Sequence, residues 1–187
     1  LESLQCQIER RTGGETGVRS VQCLSGEKVW QAGEDGLWSR ELAERALAAI
    51  EDAPDRLNPD KVEDPHVFLL EYADGLKASV LMLGDNGYVQ KFAYAQRSGD
   101  KINTLEYHTD TGPTHAPFSY LGLNIEDFFL NGTPPSPVER TYLTTGVLEA
   151  IMRSHGADGQ RIDTPHLNIS YKPTDPPARR PHEERPT

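Results

Sequence analysis

Residues 66–83 constrain the fold more than any other stretch: HVFLLEYA, then Asp74-Gly75, then LKASVLML. Two runs rich in β-branched, aromatic and aliphatic residues flank a dipeptide that tolerates positive φ. The segment therefore predicts a hairpin with a two-residue type I′ turn. Counting outward from that turn pairs Leu69 with Val80 and Val67 with Met82 on one face, with Phe68 opposite Leu81 on the other. Both faces are partly apolar, so the sheet is expected to carry packing on each side.

Asn86-Gly87 and Ser98-Gly99-Asp100 repeat the turn signal and lead into YVQKFAYAQR and INTLEYH, which extends the hairpin to an expected antiparallel meander of about four strands. Upstream, Leu1, Leu4 and Ile8 share one helical face that Gly13 and Gly14 terminate. Val18 to Leu24 has strand propensity, Ser25-Gly26-Glu27 turns it toward Val29 and Trp30, and Gly33-Glu34-Asp35-Gly36 reads as a loop. Ser39 is placed to cap a helix whose inner face is Leu42, Ala46, Leu47 and Ile50, with Trp38 stapled onto Ala43.

Downstream, Phe118, Leu121, Ile125, Phe128 and Phe129 keep a helical period up to Gly132. Ser136-Pro137-Val138-Glu139 reads as a capping box with Pro at the first helical position. It opens a helix that carries Leu143, Val147, Leu148, Ile151 and Met152 and closes at Gly156. His166 to Tyr171 is expected to add an edge strand. This order of elements predicts an α+β fold, an open and mainly antiparallel sheet with helices on one face. Residues 1–173 read as one domain, and 174–187, rich in proline and charge and poor in apolar side chains, as a disordered tail.

Charge and cysteine usage narrow the function classes. The chain carries 29 acidic and 19 basic residues, a net charge of −10, and no basic run longer than a pair such as Arg179-Arg180. Phosphate binding needs a concentrated basic face, so nucleic acid is not an expected partner. No apolar run approaches the ~18 residues of a membrane span, and no membrane partner is expected. Cys6 and Cys23 stand without a CxxC pair or a His at ligand spacing, which predicts two buried free thiols and a reducing, cytoplasmic setting.

Several reactive motifs are missing. Gly13-Gly14-Glu15-Thr16-Gly17 lacks the G-x-G-x-x-G spacing and leads into a strand, so it is not a nucleotide loop. There is no P-loop, no H-E-x-x-H and no G-x-S-x-G. The densest polar constellation is His108-Thr109-Asp110-Thr111-Gly112-Pro113-Thr114-His115. Its two imidazoles and carboxylate suit acid–base chemistry, ligand contacts or metal-assisted hydrolysis. The plainer reading is a solvated strand-to-helix loop. His66 and His166 each follow a Pro and read as ordinary strand entrances.

The runs RRTGGETGVRSVQC, VWQAGEDGLWSREL, LLEYADGLKASVLML, PPSPVERTYLTTGVLEA and TPHLNISY together resemble the carboxyl-terminal domain of Gfo/Idh/MocA-type proteins, the superfamily of glucose-fructose oxidoreductase and inositol 2-dehydrogenase. The resemblance extends from Leu1 to about Pro173. It implies a parent protein whose amino-terminal Rossmann domain binds NAD or NADP, with this domain walling a sugar or polyol pocket and joining subunits through its sheet as a homo-oligomer, a dimer or tetramer. It also implies that the proton-handling Lys and His lie upstream of Leu1, so the fragment alone is not catalytically competent and binds no cofactor by itself.

The family's Y-G-Y-D-x-R strand aligns with Phe92-Ala93-Tyr94-Ala95-Gln96-Arg97, where Tyr94 and Arg97 match while Phe92 and Ala95 replace a Tyr and the acid. The substrate contacts implied or suggested are thus Tyr94 and Arg97, with His108, Asp110 and His115 from the polar loop. The alternative is a non-catalytic sugar-binding or assembly module with a self-associating sheet face.

Overall fold

The computed structural model describes residues 1–54, 56–83, 88–107 and 116–174, with backbone alone at 116 and 117. The elements in order are α1 (Glu2–Ile8), β1 (Val18–Ser25), α2 (Glu27–Glu34), α3 (Arg40–Leu47), β2 (His66–Tyr72), β3 (Lys77–Met82), β4 (Phe92–Ser98), β5 (Lys101–Tyr107), α4 (Ala116–Asn131), α5 (Val138–Gly156) and β6 (Ile162–Asp163). Short 3-10 turns occupy Pro59–Lys61 and Pro165–Leu167. The chain is α+β, with a mainly antiparallel open sheet.

That sheet has the order β3-β2-β1-β6, and β4 pairs only with β5 in a separate ribbon. The expected four-strand meander therefore breaks after β3. β1 takes the place beside β2 because Val18, Val21, Cys23 and Leu24 let it bury both faces, whereas β4 and β5 contain no buried residue. The edge strand is the two-residue β6, not His166 to Tyr171, which forms a 3-10 turn and a single bridge from Tyr171 to Glu15.

The β2–β3 register also differs by one residue from the count made on the sequence. Phe68 faces Val80, Val67 faces Leu81 and His66 faces Met82. The connection has three residues rather than two. The Tyr72 N–H donates to the Leu76 carbonyl at 2.8 Å, and only Gly75 takes positive φ, +87°. Asp74 stays outside the left-handed region because its carboxylate accepts the Leu76 N–H at 3.1 Å, which stabilises the three-residue form.

Both faces of the sheet are covered, so helices lie on two sides rather than one. On the first face Val21, Cys23, Leu70 and Tyr72 pack with Leu4 and Ile8 of α1 and with Leu143, Val147 and Ile151 of α5. On the second, Leu24 and Val67 pack with Val29 and Ala32 of α2, Trp38 and Leu57. Each fully buried aliphatic side chain contributes roughly 1.5–3 kcal/mol. The helix α2 stands where the sequence suggested a turn and loop. Its Val29 and Ala32, one turn apart, form a short inner stripe, and the Trp38 indole N–H donates to the Val29 carbonyl at 2.8 Å.

Ser39 caps α3 as expected, its hydroxyl accepting the Leu42 N–H at 3.2 Å. At α5 the cap position is Pro137, and no side chain accepts there, so the expected capping box does not form. α4 ends at Gly132, whose φ is +68°. Its Phe118, Phe129 and Leu130 are exposed, not part of a core face. Cys6 and Cys23 are both free; Cys23 is buried and Cys6 only partly so.

Candidate functional site

An open groove of about 2030 Å³ runs between the first sheet face, the start of α1, α3 and the β4–β5 ribbon. Tyr94 and Arg97 both border it. They stand three residues apart on β4, and an odd separation along a strand sends side chains to opposite faces. Tyr94 packs against the first core cluster, and its hydroxyl donates to the Gln96 side-chain oxygen at 3.0 Å. Burial, and secondarily Cys6, push its pKa up. Arg97 turns to α3 and pairs with Glu41 at 2.5 Å. Ala95 lies on the Arg97 side of the strand, the face to which Glu41 brings a carboxylate.

Tyr107, cross-strand partner of Phe92, faces α1 alongside Tyr94. Its hydroxyl donates to the Ser3 carbonyl at 2.6 Å and lies 3.9 Å from the Cys6 sulfur. Burial first, then Cys6, hold its pKa well above the ordinary phenol range. The sequence reading did not single out Tyr107. The cross-strand register is the signal that relates it to Tyr94. His108, Asp110 and His115 lie outside the described residues, as do the Asn86-Gly87 turn and the tail from 175 onward.

The segment rejected as a nucleotide loop has a different role. Glu15 is 1% exposed, and its carboxylate accepts the N–H groups of Thr16 and Gly17 at 2.8 Å and the Gln5 amide at 2.6 Å. Gln5 in turn donates to the Tyr171 hydroxyl at 2.9 Å, and that hydroxyl donates to Glu9 at 2.7 Å. Arg140 of α5 closes the chain by pairing with Glu9 at 3.0 Å and with Glu2. A buried carboxylate is tolerated only with such partners. The network ties α1, α5 and the final described segment together beside the groove wall. It is satisfied internally, because no buried side-chain N or O among the described residues lacks a hydrogen-bond partner.

At the far end of the groove His66 of β2 and His155 of α5 bring their rings to 5.4 Å between centroids, tilted by 52°. The His66 Nδ1 lies 3.0 Å from the Asp64 carbonyl, an acceptor only, so Nδ1 carries the proton. Asp64 holds that carbonyl in place with φ +47°, a left-handed conformation that Asp adopts more readily than most residues.

Among the described residues, no group of three or more His, Cys, Asp or Glu is arranged to hold a metal ion, and no helix is long and apolar enough to cross a membrane. Compared with known proteins, the chain matches no family model, no curated protein and no solved structure.

Proposed function

We propose that this chain is the substrate-binding and assembly domain of a nicotinamide-dependent oxidoreductase that acts on a sugar or related polyol in the cytoplasm. The observation carrying this reading is that Tyr94 and Arg97, the two residues kept from the Y-G-Y-D-x-R pattern, both border one large open groove. The groove also exposes Lys77, Ser79 and Gln96, and such donors and acceptors suit a polyhydroxylated ligand. On this reading NAD or NADP binds in the parent's other domain, and hydride passes between the nicotinamide and a hydroxyl-bearing carbon held against this wall.

The Arg97–Glu41 pair marks a departure from an inositol-type site. Arg97 already spends its charge on a carboxylate, so the ligand meets an ion pair rather than a free guanidinium. The side chains are 46% and 61% exposed, and a pair so solvated is worth at most about 1 kcal/mol, weak enough for a ligand hydroxyl to open.

The test uses the intact parent protein, titrated with NADH and NADPH by nicotinamide fluorescence and then assayed against a panel of sugars and polyols. Saturable cofactor binding and turnover that Tyr94→Phe and Arg97→Gln reduce are the expected results. Neither binding nor turnover would refute the proposal. A second reading, a non-catalytic assembly module, is favoured by the apolar surface that α4 exposes at Phe118, Phe129 and Leu130. It predicts self-association in sedimentation without carbohydrate affinity.

A further inference from the structure

The chain has two methionines, and each neighbours one of the two paired histidines in the fold. Met82 is the cross-strand partner of His66, and directly opposed residues of antiparallel strands share a face. Met152 precedes His155 by three residues in the last turns of α5, a spacing that puts both on one side of a helix. All four residues line the same groove.

We propose that His66, His155, Met82 and Met152 form a soft-metal site that takes a single copper(I) ion. Thioethers are soft donors that select copper(I), and imidazole accompanies them readily. Harder cations are disfavoured because the cluster offers no grouping of three carboxylate, thiolate or imidazole ligands. The protonation of His66 suits a ligand. With Nδ1–H directed to the Asp64 carbonyl, Nε2 keeps its lone pair, and a backbone acceptor behind a ligating imidazole fixes its tautomer and orientation. The His155 ring is exposed and stands 5.4 Å from the His66 ring, centroid to centroid. The site lies on the sheet end opposite the Gln5–Glu15 network and uses no residue of the proposed sugar wall.

The experiment is a silver(I) titration of the 187-residue chain, silver(I) serving as a non-redox stand-in, in a Cys6→Ser background that removes the more accessible thiol. Each methionine is followed through its own ε-methyl NMR resonance and each histidine through its ring protons. Both methyls and both the His66 and His155 rings should shift together and saturate at one equivalent. Motionless methyls, or one methyl moving alone, would overturn the site.

Met82 and Met152 are 46% and 61% exposed, so Met82→Leu and Met152→Leu leave the fold intact. Each should weaken copper(I) retention against a chelator by about tenfold or more. Wild-type retention in the double variant would refute the proposal.

Discussion

Gly13 and Gly17 make a matched pair for separating backbone conformation from packing. Both have φ of +94°. A Cβ at Gly13 meets nothing within 4 Å, whereas one at Gly17 meets the Leu167 carbonyl at 2.5 Å, the Ile169 nitrogen at 2.7 Å and the Asn168 Cα at 3.0 Å. These are backbone atoms and cannot swing aside. Alanine at either site incurs the left-handed penalty of about 1–2 kcal/mol. At Gly17 overpacking adds about 1–3 kcal/mol. Displacing the Gly17 N–H from buried Glu15, now at 2.8 Å, adds about 1–3 kcal/mol more.

Gly13→Ala should therefore cost about 1–2 kcal/mol, and Gly17→Ala about 3–5 kcal/mol after partial relaxation. Urea unfolding followed by the fluorescence of Trp30 and Trp38, checked against circular dichroism, measures both. Losses equal within about 0.5 kcal/mol would refute the close packing of the 167–169 segment on the Gly17 turn.

Three other outcomes follow from single contacts. Ser154 is fully buried, accepts the Cys23 N–H at 2.8 Å and donates to the Gln160 carbonyl at 2.6 Å; Ser154→Ala should cost about 1–3 kcal/mol in the same unfolding assay. Burial works against the Asp74 charge, but Arg11 at 2.8 Å and the Leu76 N–H hold its carboxyl below the ordinary value of 3.8. A depressed folded-state pKa gives stability that is present above that value and lost as pH falls through the folded pKa, so Asp74→Asn should lower stability above pH ~4 and flatten its decline below. Tyr94→Phe removes a hydroxyl whose bond to Gln96 is exposed; unfolding free energy should fall by less than about 1 kcal/mol, so any loss of carbohydrate binding in that variant reports contact with ligand.

The hairpin at residues 66–83 was legible because its signal is local, an apolar pattern around a turn dipeptide. Its register was not, since one hydrogen bond from the Leu76 N–H to the Asp74 carboxylate chooses between two loops that the same letters permit. The helix α2 escaped notice because it has eight residues and starts at Gly26 without a side-chain cap. Its buried stripe is only Val29 and Ala32. The ribbon β4–β5 looked like a continuation of the meander because strand propensity says nothing about which edge a strand joins.

At the groove, Tyr94 and Arg97 stood out by resemblance, and strand alternation alone would have sent them to opposite faces. Glu41, Tyr107 and the His66–His155 pair are tertiary partners far apart in sequence, which no local pattern could supply. Glu15 looked like part of a glycine-rich loop. The approach of Tyr171 to Gly14 and of residues 167–169 to Gly17 explains why glycines stand there.

The Cys23 N–H of β1 donates to the Ser154 hydroxyl of α5, and that bond bears on how copies of this molecule could meet. β6 pairs with β1 only at Ser20 and Val21, and beyond that point α5 supplies what a neighbouring strand would. At Cys23 this margin therefore offers no free N–H to the backbone of another molecule. The opposite margin, β3, has no second strand partner among the described residues. Within this sheet, joining like β3 edges by a two-fold axis would consume the open margin of both copies. A pair joined in that way would leave neither copy a free β3 from which the four-stranded sheet could extend further.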